Sequence, residues 1–295
     1  MYSQIDSNKR KTNILIVIFT IFVLTIGWFL DYYMGYSYGA VVLAMIVSVI
    51  MTLVSYYKGD SIALKSTGAV EINKETNPYV YHMVENLVIT AGIPMPKVYV
   101  INSEALNAFA TGRDPEHASI AVTSGIVKAL ENEELEGVLA HEMSHIKNYD
   151  IRVMTIVVVL VGTISLLSNW FFRARMFSSG RRSSNNNEGN AGGIIMIIGL
   201  ILLILSPIIA NLIKLAISRK REYLADASGS LLTRYPEGLA RALEKISASD
   251  TPLKTASTAT AHLFISNPFK KQSFANMFST HPPIDDRIKK LRSMI

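Results

Sequence analysis

Apolar residues in this chain gather into four long blocks separated by polar stretches. Ile14 to Leu30 is an almost unbroken apolar run, Tyr38 to Val54 a second, Ile151 to Phe172 a third and Ile194 to Ile217 a fourth. A helix needs about 20 mainly apolar residues to cross the hydrocarbon core, with a tolerated range of about 17 to 25, and all four runs reach that range or its lower edge. A single such run also fits a buried helix of a large soluble core. Four of them in 295 residues leave too little polar sequence to cover them, so the pattern predicts a multi-pass membrane protein. The polar stretch from 58 to 150 is mixed. Asn77 to Thr90 predicts a helix, Gly92 to Pro96 a turn and Lys97 to Ile101 a strand. Leu106 to Thr111 and Ala118 to Thr123 predict short strands, with a turn at Gly112 to Pro115 between them. A helix begins near Ser124, and another follows Asn132. Residues 218 to 295 are polar again and mainly helical, with a loop around Ser247 to Thr260.

Composition sharpens this picture. The chain is 49% hydrophobic with a mean hydropathy of +0.28, too apolar for an ordinary soluble protein of this length. Lys9, Arg10 and Lys11 precede the first run, but Gly27 to Tyr33 offers no small-residue cleavage site, so the run is expected to stay as a signal-anchor helix. Trp28, Tyr32, Tyr33, Tyr36 and Tyr38 cluster between the first two runs, where an interfacial aromatic belt sits. The net charge of +6 does not argue for nucleic acid, because the basic residues collect beside the apolar runs, where they meet lipid headgroups. The expected partners are the bilayer and protein substrates, with no nucleic acid and no nucleotide. The absence of cysteine excludes disulfides and thiolate metal ligands. Lys9 to Lys11 and Lys58 place both ends of the first hairpin in the cytoplasm. Arg173, Arg175, Arg181 and Arg182 then lie outside if the third and fourth runs both span, against the positive-inside tendency. The second hairpin therefore either spans despite its charges or is embedded without crossing.

The chemistry sits at His141-Glu142-Met143-Ser144-His145. Helical positions i and i+4 share a face, so the two imidazoles can hold one zinc ion, and Glu142 can act on a water beside it. Leu130, Leu135, Val138 and Leu139 recur at helical spacing before the motif. Glu131, Glu133, Glu134 and Glu136 precede it, and Lys147, Asn148 and Asp150 follow, which places it at the membrane surface rather than inside an apolar run. A zinc site of this kind needs a third protein ligand. Glu222 supplies a candidate, with Asp226 four residues on to accept a hydrogen bond from a ligand histidine and fix its tautomer. The third run starts just after His145 and the fourth ends just before Glu222, so pairing those runs as a hairpin brings the two segments to one membrane face. Glu142 is then the general base of peptide hydrolysis.

Four pieces carry a resemblance: Asn107 to Gly112, Val138 to His145, Arg221 to Asp226, and Thr280-His281-Pro282-Pro283 with Arg287. Together they resemble the HtpX family of membrane-bound zinc metalloproteases, in the wider group that also holds the CAAX prenyl-protein endopeptidases. The resemblance implies one zinc per chain held by His141, His145 and Glu222, with Glu142 catalytic. It also implies an ATP-independent endopeptidase that clears damaged membrane proteins. Asn107 falls beside an edge strand at the cleft by this resemblance, where an extended peptide can bind; as a sequence feature alone it fits a strand-end turn equally well. His281 is held extended by the following prolines; as a sequence feature alone it fits a surface-loop histidine, while the resemblance implies oxyanion stabilisation with Arg287 organising the site. His82, His117 and His262 lack partner spacing and are expected to be structural or surface residues.

The expected fold is α+β, mostly helical: a multi-pass membrane protein with a zincin-like (HExxH gluzincin) catalytic domain carrying a small β-sheet. The expected organisation is a transmembrane hairpin at 1–57, a first catalytic half at 58–150, a second hydrophobic hairpin at 151–217 with a flexible linker at 173–193, and a second catalytic half at 218–295. The expected function is zinc-dependent cleavage of misfolded or damaged membrane proteins at the cytoplasmic face of the cell (inner or plasma) membrane. A site-specific prenyl-protein-type processing endopeptidase and a catalytically silent membrane scaffold are the alternatives.

Overall fold

The computed structural model of the chain describes residues 2–34, 37–178, 219–269 and 282–294. The fourth apolar run, most of the expected linker at 173–193 and His281 lie outside the described residues.

The first two apolar runs form helices α1 (Tyr2–Met34) and α2 (Gly39–Thr67). Both are long and apolar enough to cross a membrane. They expose Val17, Ile21, Val42, Leu43, Ile46, Val49, Ile50 and Leu53, a surface that suits lipid and not water. The first turn of α2 has amides with no helical partner. Asp31 of α1 accepts from two of them, Ala40 N and Val41 N, each at 2.9 Å. α2 continues past the expected hairpin boundary at 57, through Lys58 and Asp60, to Thr67. It stops at Gly68, whose φ of 71° lets its N–H reach back to the Leu64 and Lys65 carbonyls.

α2 leads directly into a four-stranded sheet of β1 (Ala69–Ile72), β2 (Lys97–Ile101), β3 (Ala108–Gly112) and β4 (Ala118–Thr123), in the order β1-β2-β4-β3. β2 and β4 are parallel, and the outer pairings are antiparallel. β1 has no forecast in the sequence; four residues flanked by a helix are too short to display alternation. β3 begins at Ala108 rather than Leu106 and forms one edge of the sheet.

Helix α3 (Pro78–Ala91) starts with Asn77 accepting from Val80 N and Pro78 in the first turn. Short α4 (Ser124–Ala129) is followed by α5 (Asn132–Lys147), whose first turn is tightened by Glu134 accepting from Glu131 N at 2.9 Å. α5 is the central helix: Leu135, Val138, Leu139 and Met143 pack in one core with Val84 and Leu87 of α3, Ile120 of β4, and Leu239 and Leu243 of α8 (Pro236–Ala248). After α5 the chain bends by 84° into α6 (Asp150–Ser178). The beginning of the third apolar run is not lipid-facing. Val153, Ile156, Val157 and Leu160 are buried against Leu15 and Phe19 of α1. Among the described residues α6 qualifies as a span only jointly with α5 across their bend. The remaining helices are α7 (Arg219–Thr233) and α9 (Ile284–Arg292).

Candidate metal centre

α5 and α7 pack side by side, and their facing side chains meet as the sequence spacing anticipates. The potential ligand atoms of His141, His145 and Glu222 all lie within 4.8 Å of one another, and all three residues are buried. His141 Nε2 is 3.2 Å from His145 Nε2. Glu222 Oε2 is 3.8 Å from His141 Nε2, and Glu222 Oε1 is 3.7 Å from His145 Nε2.

These residues fit a metal ion. Two nitrogens bound tetrahedrally to zinc at about 2.05 Å stand about 3.4 Å apart, close to the spacing seen. Both outer ring nitrogens are taken by carboxylates: His141 Nδ1 lies 2.9 Å from Asp226 Oδ1, and His145 Nδ1 lies 3.0 Å from Asp150 Oδ2. With a carboxylate beside each Nδ1, both Nε2 atoms lie toward one point beside Glu222, the arrangement in which ligating histidines are held.

Electrostatics follow from burial. Burial pushes the Glu142 carboxyl above its ordinary value, and Glu222 adds to this, while His141, His145 and a hydrogen bond from the Ala110 backbone pull the other way. Burial alone lowers the His145 pKa, but Asp150, Glu222 and Glu142 outweigh it and push it up to about 9. Asp226 is buried, yet the Arg287 guanidinium and the His141 ring hold its carboxyl well below the usual range. Arg287 grips Asp226 in a two-pronged pair, Nε to Oδ2 at 2.9 Å and Nη2 to Oδ1 at 2.7 Å. Its Nη1 donates to Ile265 O at 3.3 Å and stands 4.0 Å from Glu222 Oε2.

The other sequence candidates fall as follows. Asn107 is buried just before edge strand β3, where its Nδ2 donates to Ser266 O at 2.9 Å and its Oδ1 accepts from Ala108 N and Ser266 N. His82 pairs with Glu85 and His117 with Asp114 at the surface, while His262 is buried and bonded to Met154 O. None of these three histidines belongs to the His141 group. Sequence reasoning missed Asp150 as the partner of His145. Its position just after the motif and just before an apolar run reads as a juxtamembrane polar residue, and only its five-residue distance from His145 hinted otherwise.

Residues 74–295 match Peptidase family M48. The chain is 46% identical to a protease HtpX homolog of Caldanaerobacter subterraneus subsp. tengcongensis, over 100% of this chain and 98% of that protein. It is 45% identical to a protease HtpX homolog of Streptococcus uberis, over 100% of both. Its fold is similar to that of S. mikatae Ste24p in a crystal structure, with a TM-score of 0.51 at 19% identity, covering 99% of this chain and 67% of that one. With the motif helix, its facing acids and two membrane-length helices in place, the chain belongs to peptidase family M48 and is a membrane metallopeptidase of the HtpX family.

Proposed function

We propose that this protein is a zinc-dependent endopeptidase that cleaves misfolded or damaged membrane proteins at the cytoplasmic face of the cell membrane. The observation that carries the reading is the convergence of His141, His145 and Glu222 from two helices onto one buried point. In this reading those three residues hold one zinc ion. Zinc bound there would supply a Lewis acid for the scissile carbonyl and for a water molecule. Glu142, beside the two histidines, would take the proton of the attacking water and pass it to the leaving amine. Asp226 and Asp150 keep the two rings in the ligating tautomer, and Arg287 holds Asp226. Edge strand β3 supplies main-chain groups to an extended peptide beyond Ala108, and Asn107 shapes the start of that edge through its bonds to Ser266. His281 is assigned to the oxyanion.

The catalytic unit is built from 58–150 and 218–295, anchored by the hairpin at 1–57 and by the second hydrophobic hairpin at 151–217. Lys9, Arg10, Lys11 and Lys58 favour a cytoplasmic site. A substrate drawn from the membrane suits a site whose motif helix bends directly into α6, packed on α1.

The test uses the full chain purified in detergent. It is expected to carry equimolar zinc and to cleave casein and an unfolded membrane protein in a chelator-sensitive manner. Glu142→Gln is expected to keep zinc and lose cleavage. Cleavage retained in Glu142→Gln would overturn the mechanism. Cleavage confined to one site of a prenylated peptide would favour the processing endopeptidase, and zinc-free, inert protein the scaffold.

A further inference from the structure

The N-terminal end of α1 is polar, with Asp6, Lys9 and Arg10 exposed, yet Asn8 among them is 1% exposed. What buries it is the metal centre's own support. Asn8 Nδ2 donates to Asp150 Oδ1 at 2.7 Å and to Asn148 O at 2.9 Å. Asn8 Oδ1 accepts from Arg221 Nη1 at 3.3 Å, and the same nitrogen donates to Asp150 Oδ1 at 3.1 Å. The other oxygen of Asp150 holds His145 Nδ1. One amide thus meets the last residues after α5, the first of α6 and the arginine beside Glu222.

We propose that Asn8 is a positioning residue for the metal centre, acting through Asp150 on His145, so that the first membrane helix helps to set metal affinity. This rests on the zinc reading given above. Arg221 reaches Asp150 through one nitrogen, and among the described residues its Nε has no hydrogen-bond partner. Without Asn8, Asp150 Oδ1 would be anchored by Arg221 Nη1 alone, opposite the His145 contact on Oδ2. The second donor from Asn8 on the same oxygen steadies that anchor, and with it the direction in which Oδ2 meets the His145 ring. Asn8 also pins the corner where α5 bends into α6 by bonding Asn148 O. An anchor helix that served only to hold the protein in the bilayer has no need of a buried amide at this position. Burying an unpartnered amide is costly, so the contacts at Asn8 are obligatory once α1 docks here.

The test measures zinc affinity by chelator competition in the full-length protein in detergent, for wild type, Asn8→Ala, Asn8→Ser, Asp150→Asn and the Asn8→Ala/Asp150→Asn pair. Exposed Asp6→Ala on the same helix is the control. Removing a partner that supports a metal ligand typically costs about 10–100-fold in affinity. Asn8 lies one bond further out, so a weakening of about 3- to 10-fold is expected, with Asp6→Ala unchanged. The visible spectrum of the cobalt-substituted protein is expected to shift in Asn8→Ala, a change that general destabilisation does not produce. The pair is expected to bind zinc no more weakly than Asp150→Asn alone, because Asn8 acts through that carboxylate. Affinity and cobalt spectrum unchanged in both Asn8 variants would overturn the proposal, as would fully additive losses in the pair. If Asn8→Ala does not yield folded protein, Asn8→Ser decides by the same criteria. A wild-type protein that binds no zinc, or a His145→Ala variant that binds it as tightly, would overturn the zinc reading and this inference with it. Normal wild-type binding with unaffected Asn8 variants sinks only the inference.

Discussion

Gly229 lies against the backbone of His141, so close that a Cβ on it would stand 2.9 Å from His141 N. Glu222, Asp226 and Gly229 follow each other at i, i+4 and i+7 along α7, and so share the face that meets α5. The missing side chain lets the two helices approach closely enough for both acids to reach the imidazoles. Gly229→Ala should push α7 away from α5. The expected cost is about 1–3 kcal/mol of stability, typical of overpacking, with at least a tenfold weaker hold on zinc. Thermal unfolding with and without added zinc reads both effects.

Arg287 and Asp226 form a fully buried pair joining α9 to α7. Removing one member leaves the other buried and uncompensated, which typically costs about 3–5 kcal/mol. Arg287→Ala is therefore expected to unfold at clearly lower temperature than wild type, and Asp226→Asn on the same background should recover part of the loss. The readout is the unfolding midpoint of the single and double variants. A single variant as stable as wild type would show that the pair contributes nothing.

Glu134 of α5 meets Lys245 of α8 at 2.7 Å and Arg241 at 3.1 Å. Burial raises its pKa, but Lys245, the Glu131 N–H and Arg241 together bring the value below 4.5. A carboxyl with a depressed folded pKa contributes stability that is present above its unfolded value and lost as pH falls through the folded one. Wild type should therefore lose stability from about pH 4.5 downward. Glu134→Gln should be less stable by about 1.5 kcal/mol at pH 7 and should show a shallower acid limb. Denaturation followed by circular dichroism from pH 7 to pH 3 tests this; parallel acid limbs would refute it.

Asp31 satisfies the leading amides of α2 from the neighbouring helix. Asp31→Ala should cost about 0.5–2 kcal/mol, the range for losing a helix N-cap, while Asp31→Asn should recover part of it. The loss should appear as a lower unfolding midpoint in detergent, with zinc content unchanged because the cap lies far along α1 from Asn8.

Features encoded over a few residues were legible before any fold was known. The apolar runs of α1 and α2 announce membrane length, because hydropathy needs no partner. His141 and His145 announce a shared face, because the helical period is local. Glu222 and Asp226 do the same on α7, and the strands β2 and β4 stand where their β-branched residues place them.

Apart from the approach of Glu222 and Asp226 to the histidines, read from spacing and the pairing of flanking apolar runs, contacts between distant residues were not legible. Nothing in the sequence pairs Asn8 with Asp150, which lie 142 residues apart, since a hydrogen bond across that distance leaves no periodic trace. The resemblance marked Arg287 as a site organiser, but its partner Asp226 shows only in the fold. β1 exists only because β2 is beside it. The sequence by itself determined which groups can bind a metal and which segments can enter a bilayer. Tertiary packing decided which carboxylate orients each imidazole and that the first membrane helix reaches the metal centre, because those choices depend on close approach between chain segments that local pattern does not record.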